Sequence, residues 1–235
     1  MTASLEGKLA LVTGASRGIG AATAAALGAA GAHVILTART AGGLEEVEEQ
    51  IHQAGGQATI APLDLIEGDS IARLAAAISG RWDALDILVL NAAMLGTLSP
   101  VTTIDAKEFN TLLATNVLAQ QALITAFDPM LRKSAAGRVV ALTSSVAETP
   151  RAYWGAYGAS KAAFEALVLA YGEEVKNISA VRTAILDPGA TATKMRAKAF
   201  PGEDPSTLKG PEIVAARIAA LAAEGFETGH RERVN

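Results

Sequence analysis

No cysteine occurs in the 235 residues. Disulfides, thiolate metal sites and a cysteine nucleophile are therefore excluded. A reducing cytoplasm is compatible with that absence. Only three histidines are present, His33, His52 and His230, far apart and without an H-x-x-x-H pair. Neither a metal site nor a histidine-based triad is expected. Aromatic residues make up 4% of the chain, and three of them are tyrosines. Basic excess is missing too. The formal net charge is −4, which gives no field for nucleic acid. No apolar run approaches the ~18 residues of a membrane-spanning helix. The opening "MTASLEGKLALVTG" lacks the basic and long apolar segments of a secretory leader. The expectation is a soluble protein of the cytoplasm with neither nucleic-acid nor membrane partners.

What is present is apolar and small. Hydrophobic residues make up 50% of the chain and glycines number 22. That supports a sizeable core with helices packed closely on a sheet. Apolar β-branched runs alternate with helical patterns. Strands are expected at 8–14, 33–39, 58–65, 85–93, 137–145 and 179–189. Helices are expected at 18–31, 42–56, 69–80 (capped by Asp69), 105–127, 157–176 and 211–224. Continuous apolar strands between helices imply a parallel sheet covered on both faces. No linker divides the chain. The reading is one α/β, doubly wound, Rossmann-type domain over 1–235, with about seven strands. The stretch 190–212 is polar, holds Pro201, Pro205 and Pro211, and is long for a connection.

"TGASRGIG" (13–20) follows the first strand and opens the first helix. Gly14, Gly18 and Gly20 allow a tight turn and a close backbone approach. The helix N-terminus then offers N–H groups and its dipole to a pyrophosphate. The alternative is a glycine turn that only packs helix on sheet. The second strand ends Thr37-Ala38-Arg39, without the carboxylate that would hold free ribose hydroxyls. Arg17 lies in the turn itself. Two guanidiniums near one ribose suit a 2′-phosphate, which favours NADP(H) over NAD(H). Otherwise Arg39 is a solvated strand end. Asp64 either accepts from an adenine amino group or caps a helix.

Tyr157 and Lys161 lie four apart in "YGASK". On a helix they project from one face. An ammonium beside a phenol stabilises phenolate, and a tuned phenol serves as general acid or base. Ser144, at the end of the preceding strand, is placed to bond the same substrate oxygen. Tyr153 and Trp154 precede the helix and suit a pocket lining, an interface or plain packing.

These motifs resemble the short-chain dehydrogenase/reductase family. They occur in family order along nearly the whole chain: "TGASRGIG", "NAA" at 91–93, Asn116 in "TNVLA", Ser144 in "LTSSVA", "YGASK", and "DPGATATKM" at 187–195. The runs "RAYWGAYGASK" and "ATATKMRAKAFPGEDPSTLK" are similar to YciK-type oxidoreductases within that family. The resemblance implies hydride transfer between a nicotinamide and a carbonyl or secondary alcohol, with Tyr157 as acid/base. Lys161 would tune Tyr157 and hold the nicotinamide ribose. Ser144 would orient the carbonyl, and Tyr153 would line the substrate site. Asn116 would sit in a kinked helix whose region anchors a relay water. Gly14, Ser16, Arg17, Gly18, Ile19, Gly20, Arg39, Asp64, Leu65, Asn91 and Ala92 would bind the cofactor's adenosine and phosphates. Pro188, Gly189, Thr191 and Thr193 would meet its nicotinamide end. Residues 190–212 would form the substrate lid, and a homodimer or homotetramer is implied.

Three departures stand out. Ala93 replaces the glycine of N-A-G. Ser144 and Ser145 compete for one role, and Ser144 is preferred because it lies thirteen before Tyr157. The chain ends at "ETGHRERVN", so the final strand is expected to be short. Two other functions fit the same motifs. One is a dinucleotide sensor or scaffold without turnover. The other is epimerisation or dehydration.

Overall fold

The computed structural model describes residues 4–235; the first three residues of the expected domain lie outside it. Seven strands form one sheet in the order β3-β2-β1-β4-β5-β6-β7. They are β1 (Leu9–Thr13), β2 (His33–Thr37), β3 (Gln57–Ile60), β4 (Ile87–Leu90), β5 (Arg138–Leu142), β6 (Arg182–Asp187) and β7 (His230–Arg233). Every pairing is parallel. β1, β4 and β5 are buried almost throughout, because helices cover both faces.

Eight helices connect the strands: α1 (Gly18–Ala29), α2 (Ala41–Gln53), α3 (Ser70–Ser79), α4 (Ala106–Leu113), α5 (Ala119–Lys133), α6 (Gly155–Val175), α7 (Lys194–Ala199) and α8 (Pro211–Glu224). One core joins the sheet to α3, α5 and α6 around Phe127 and Phe164. The other joins it to α1, α2 and α8 around Leu27, Leu36 and Ile218. Each such side chain contributes roughly 1.5–3 kcal/mol when fully buried. α1 is nearly all alanine and glycine, so neighbours come close. A Cβ on Gly28 would lie 2.8 Å from Ile51 of α2.

Four local expectations change. The helix expected at 105–127 is α4 and α5 joined by a π turn, Ala114–Leu118. α6 starts at Gly155, one half-turn before Tyr157. Asp69 makes no capping bond and instead pairs with Arg73. The stretch 190–212 contains α7 and a 3₁₀ turn at Pro205–Thr207, so it is structured. The last strand is short, as expected, but pairs along Ala184–Asp187. Among the described residues, no helix is long and apolar enough to cross a membrane. No cluster of potential metal ligands occurs among them.

The sheet's connections diverge between β1 and β4, the switch point where open α/β sheets form a ligand crevice at the strand C-termini. Gly14, Arg39, Asn91, Ser144 and Pro188 all follow the C-terminal ends of their strands, on that side of the sheet.

Candidate active site

The glycine turn is fixed from the neighbouring strand. Thr13 Oγ1 donates to Val89 O at 3.1 Å and accepts from the amides of Asn91 and Ala92, both at 3.0 Å. Asn91 Nδ2 donates to Thr13 O at 2.8 Å and Gly14 O at 3.3 Å. Gly14 and Gly18 have positive φ, 65° and 57°. A Cβ on Gly20 would lie 2.2 Å from Gly14 O and 2.5 Å from Asn91 Nδ2. The turn thus presents the first amides of α1 to the crevice, with no acidic residue in that first turn. Ser16 packs on Gly43 at the start of α2, and Ile19 packs on the core. Arg17 and Arg39 are both exposed and form no ion pair among the described residues.

Ala93 needs no special conformation, since Tyr153 has the sole positive φ among described non-glycine residues. The methyl group in place of glycine is therefore accommodated without strain. Asp64 behaves as a turn former. Its carboxylate accepts from Ile66 N at 3.2 Å, and its carbonyl accepts from Ser70 Oγ at 2.7 Å. Leu65 packs against the core.

At the other half of the crevice, Tyr157 and Lys161 stand one turn apart on α6, 7% and 3% exposed. Lys161 Nζ donates to Leu142 O at 2.7 Å. Leu142 ends β5, and Ser144 follows two residues later. Ser144 makes no side-chain hydrogen bond among the described residues, whereas Ser145 Oγ accepts from Arg151 at 3.2 Å. That leaves the Ser144 hydroxyl for another partner. Asn116, in the π turn, donates to Met94 O at 2.9 Å and Ser160 Oγ at 3.0 Å, and accepts from Met94 N at 2.8 Å. Its side chain ties the π turn to the segment after β4 and to α6. Such π turns often mark functional sites.

The electrostatics differ from the expectation that Lys161 lowers the phenol's pKa. Burial pushes the Tyr157 phenol up, and Asp187 adds to that. Burial also lowers Lys161 to about 8, against the charge of Glu165. The ammonium points at a carbonyl and the ring is covered by apolar groups, so desolvation outweighs the neighbouring charge.

A stability consequence follows. From about pH 8 to 10.5, unfolded Lys161 holds a proton that the folded one lacks. Stability therefore rises with pH through that window, by up to ~3 kcal/mol relative to a Lys161→Met variant. Urea unfolding of both proteins at about pH 7.5 and about pH 9.5 measures this. A difference that stays constant with pH would refute it.

Two neighbours matter here, the first of which escaped the sequence reading. Glu165, four residues after Lys161, is buried and accepts from Thr143 Oγ1. Arg231 of β7 donates to Glu165 at 2.7 Å and pairs with Glu148 at 2.6 Å. Together they tie the end of β5, where Ser144 begins, to α6 and the last strand. The helical spacing of Glu165 was readable, but its partner 66 residues away was not. The second neighbour is Trp154. Its ring meets Tyr157 edge-on at 5.9 Å and Phe200 at 5.6 Å. Tyr153 is 60% exposed, and its carbonyl accepts from Ser99 N at 3.1 Å.

The 190–212 segment and the glycine turn meet. Thr193 caps α7 through Arg196 N at 3.1 Å, and a Cβ on Gly18 would lie 3.5 Å from its Cγ2. Thr191 Oγ1 donates to Pro188 O at 2.9 Å, and Gly189 takes φ 62° beside Lys209.

A family model for short chain dehydrogenases matches residues 8–204. The uncharacterized oxidoreductase YciK of Escherichia coli K12 is 38% identical over 210 residues, covering 88% of this chain and 82% of that protein. The solved structure of yciK from E. coli aligns with a TM-score of 0.95 at 34% identity, covering 100% of this chain and 98% of that one. A protein of E. coli CFT073 solved in complex with NADPH aligns with a TM-score of 0.94 at 35% identity, covering 100% and 99%. With its parallel sheet in this strand order, the chain belongs to the short chain dehydrogenase family of oxidoreductases.

Proposed function

We propose that the protein is an NADP(H)-dependent oxidoreductase acting on a carbonyl or secondary alcohol, with Tyr157 as general acid/base. The observation that carries this is the buried Tyr157–Lys161 pair beside an uncommitted Ser144 hydroxyl, at the crevice that the glycine turn also faces. The NADPH-bound relative adds support for the cofactor.

The residues present fit a dinucleotide. The amides of Gly18, Ile19 and Gly20 would take the pyrophosphate at the α1 N-terminus. Arg17 and Arg39 would take a 2′-phosphate. Asn91 and Ala92 would lie along the adenosine side, and Thr191 and Thr193 toward the nicotinamide. When bound, the reduced nicotinamide supplies a hydride. Tyr157, protonated well above neutral pH, donates its proton to the carbonyl oxygen in reduction. Ser144 Oγ orients that oxygen. Lys161 stabilises the charge that develops on the phenol, and Asn116 holds the π turn against α6.

The expected cofactor preference has a direct check. Arg39→Asp should weaken NADPH at least ~10-fold relative to NADH, since a charge-assisted bond is replaced by repulsion. Fluorescence titration with both cofactors reads this. An unchanged ratio would place the 2′-phosphate elsewhere.

Product analysis tests the reaction class. One alcohol formed per NADPH consumed supports the proposal. Tight binding without turnover favours a sensor, and isomerisation without net oxidation favours epimerase or dehydratase chemistry. A homodimer or homotetramer belongs to the same proposal. It is supported by the exposed small stripe Ala159, Ala162, Ala163, Ala166, Leu167 and Ala170 on α6. The cytoplasmic location expected from composition does too.

A further inference from the structure

We infer that this site selects an apolar aldehyde or ketone and rejects carbonyl compounds bearing a carboxylate. The inference rests on the oxidoreductase reading above and concerns the chemistry of the walls around Tyr157.

Apart from Lys161 and Ser144, an apolar cluster surrounds Tyr157. Leu95 and Val146 pack on Tyr157, joined by Leu98, Trp154, Met195 and Ala199. Leu95 and Leu98 come from the segment after β4, Val146 from the turn after Ser144, and Met195 and Ala199 from α7 of the lid. Phe200 extends the wall by stacking near Trp154. A substrate carbon chain that reaches Tyr157 must lie among these groups.

The lid's cations do not offset this. Arg196 makes two bonds to Glu203, at 2.6 and 2.5 Å, and its guanidinium lies 3.8 Å over the Phe200 ring. It serves as a latch that holds Phe200 toward Trp154. Lys209 Nζ is bound to Val234 O at 2.6 Å. Lys198 is exposed. The Lys161 ammonium, 5.9 Å from the Tyr157 ring, is already bound to Leu142 O at 2.7 Å, and Asp187 adds a negative charge that acts on the phenol. A substrate carboxylate would be buried among apolar groups without a partner, which is strongly unfavourable. An aliphatic or aryl chain gains from the same burial.

The chemistry balances with the proposed cofactor. The carbonyl carbon gains a hydride from NADPH, which is oxidised, and the π electrons pass to oxygen. That oxygen takes the Tyr157 proton, which solvent later restores.

The test compares a straight-chain ketone with an oxo acid of the same carbon count, using the purified protein and saturating NADPH. The ketone should have at least ~100-fold higher kcat/KM. Trp154→Ala should raise its KM several-fold with a smaller change in kcat, as lost uniform binding does. Met195→Lys supplies a cation to the wall and should narrow the gap at least ~10-fold by improving the oxo acid. Equal or better turnover of the oxo acid by the unmodified protein would overturn the inference while leaving the oxidoreductase reading standing. Turnover of neither compound, nor of other carbonyls, would overturn both.

Discussion

Tyr157→Phe should lower kcat by about 10³-fold while NADPH affinity stays within about two-fold. General acid catalysis by a positioned side chain is worth roughly 10²–10⁴ in rate. The hydroxyl acts on charge that develops only in the transition state, so its loss falls on kcat and not on cofactor binding. The ring remains, so its packing with Leu95, Val146 and Trp154 is kept. Stability should change little, because no hydrogen bond of the Tyr157 hydroxyl to a described residue is lost. Steady-state kinetics with a turned-over carbonyl and a fluorescence titration with NADPH read both parts. Retained activity would move the acid/base role to another group.

The second large effect concerns the turn. Gly20→Ala puts a methyl group 2.2 Å from Gly14 O and 2.5 Å from Asn91 Nδ2. A backbone carbonyl cannot move aside as a flexible side chain does. The turn must open, and the bonds of Asn91 to Thr13 and Gly14 go with it. A cost of about 2–4 kcal/mol is expected, as for overpacking of a rigid site, together with a loss of NADPH affinity of at least ~10-fold. Gly42→Ala is the matched control. It lies in α2, exposed, with nothing within 4 Å of the added Cβ and no positive φ. It should stabilise the protein by up to about 1 kcal/mol. Thermal unfolding of the two variants reads the contrast. Equal effects would mean that the turn yields more than its contacts suggest.

Much of this was legible in the sequence for identifiable reasons. Apolar β-branched runs between alanine-rich or amphipathic stretches specify buried parallel strands, and six of the seven were readable that way. The seventh, His230–Arg233, is polar and charged, so no apolar run marks it. α8 matched its expected bounds because Pro211 and Gly225 punctuate both ends. The π turn was hidden, since one extra residue in a helical turn barely disturbs an apolar stripe. Choosing Ser144 over Ser145 rested on spacing, and the bond from Arg151 to Ser145 supplies a physical reason. Tyr153 and Trp154 were not separable from sequence. Tyr153 takes a positive φ and is exposed, whereas the Trp154 ring meets Tyr157. Of the basic residues between 190 and 212, Arg196 is accounted for by its pair with Glu203, which the sequence spacing alone did not show. Spacing reported the proximity of Tyr157 and Lys161 but not the desolvation that pushes the phenol up.

Isotope transfer tests the central claim most directly. NADPH carrying deuterium at the transferable position is mixed with a carbonyl that the protein turns over, and the product is analysed by mass spectrometry. The account predicts one deuterium on the carbinol carbon of every product molecule, and no product above background with Tyr157→Phe. Product without deuterium, or labelled product at an unchanged rate from the variant, would contradict it.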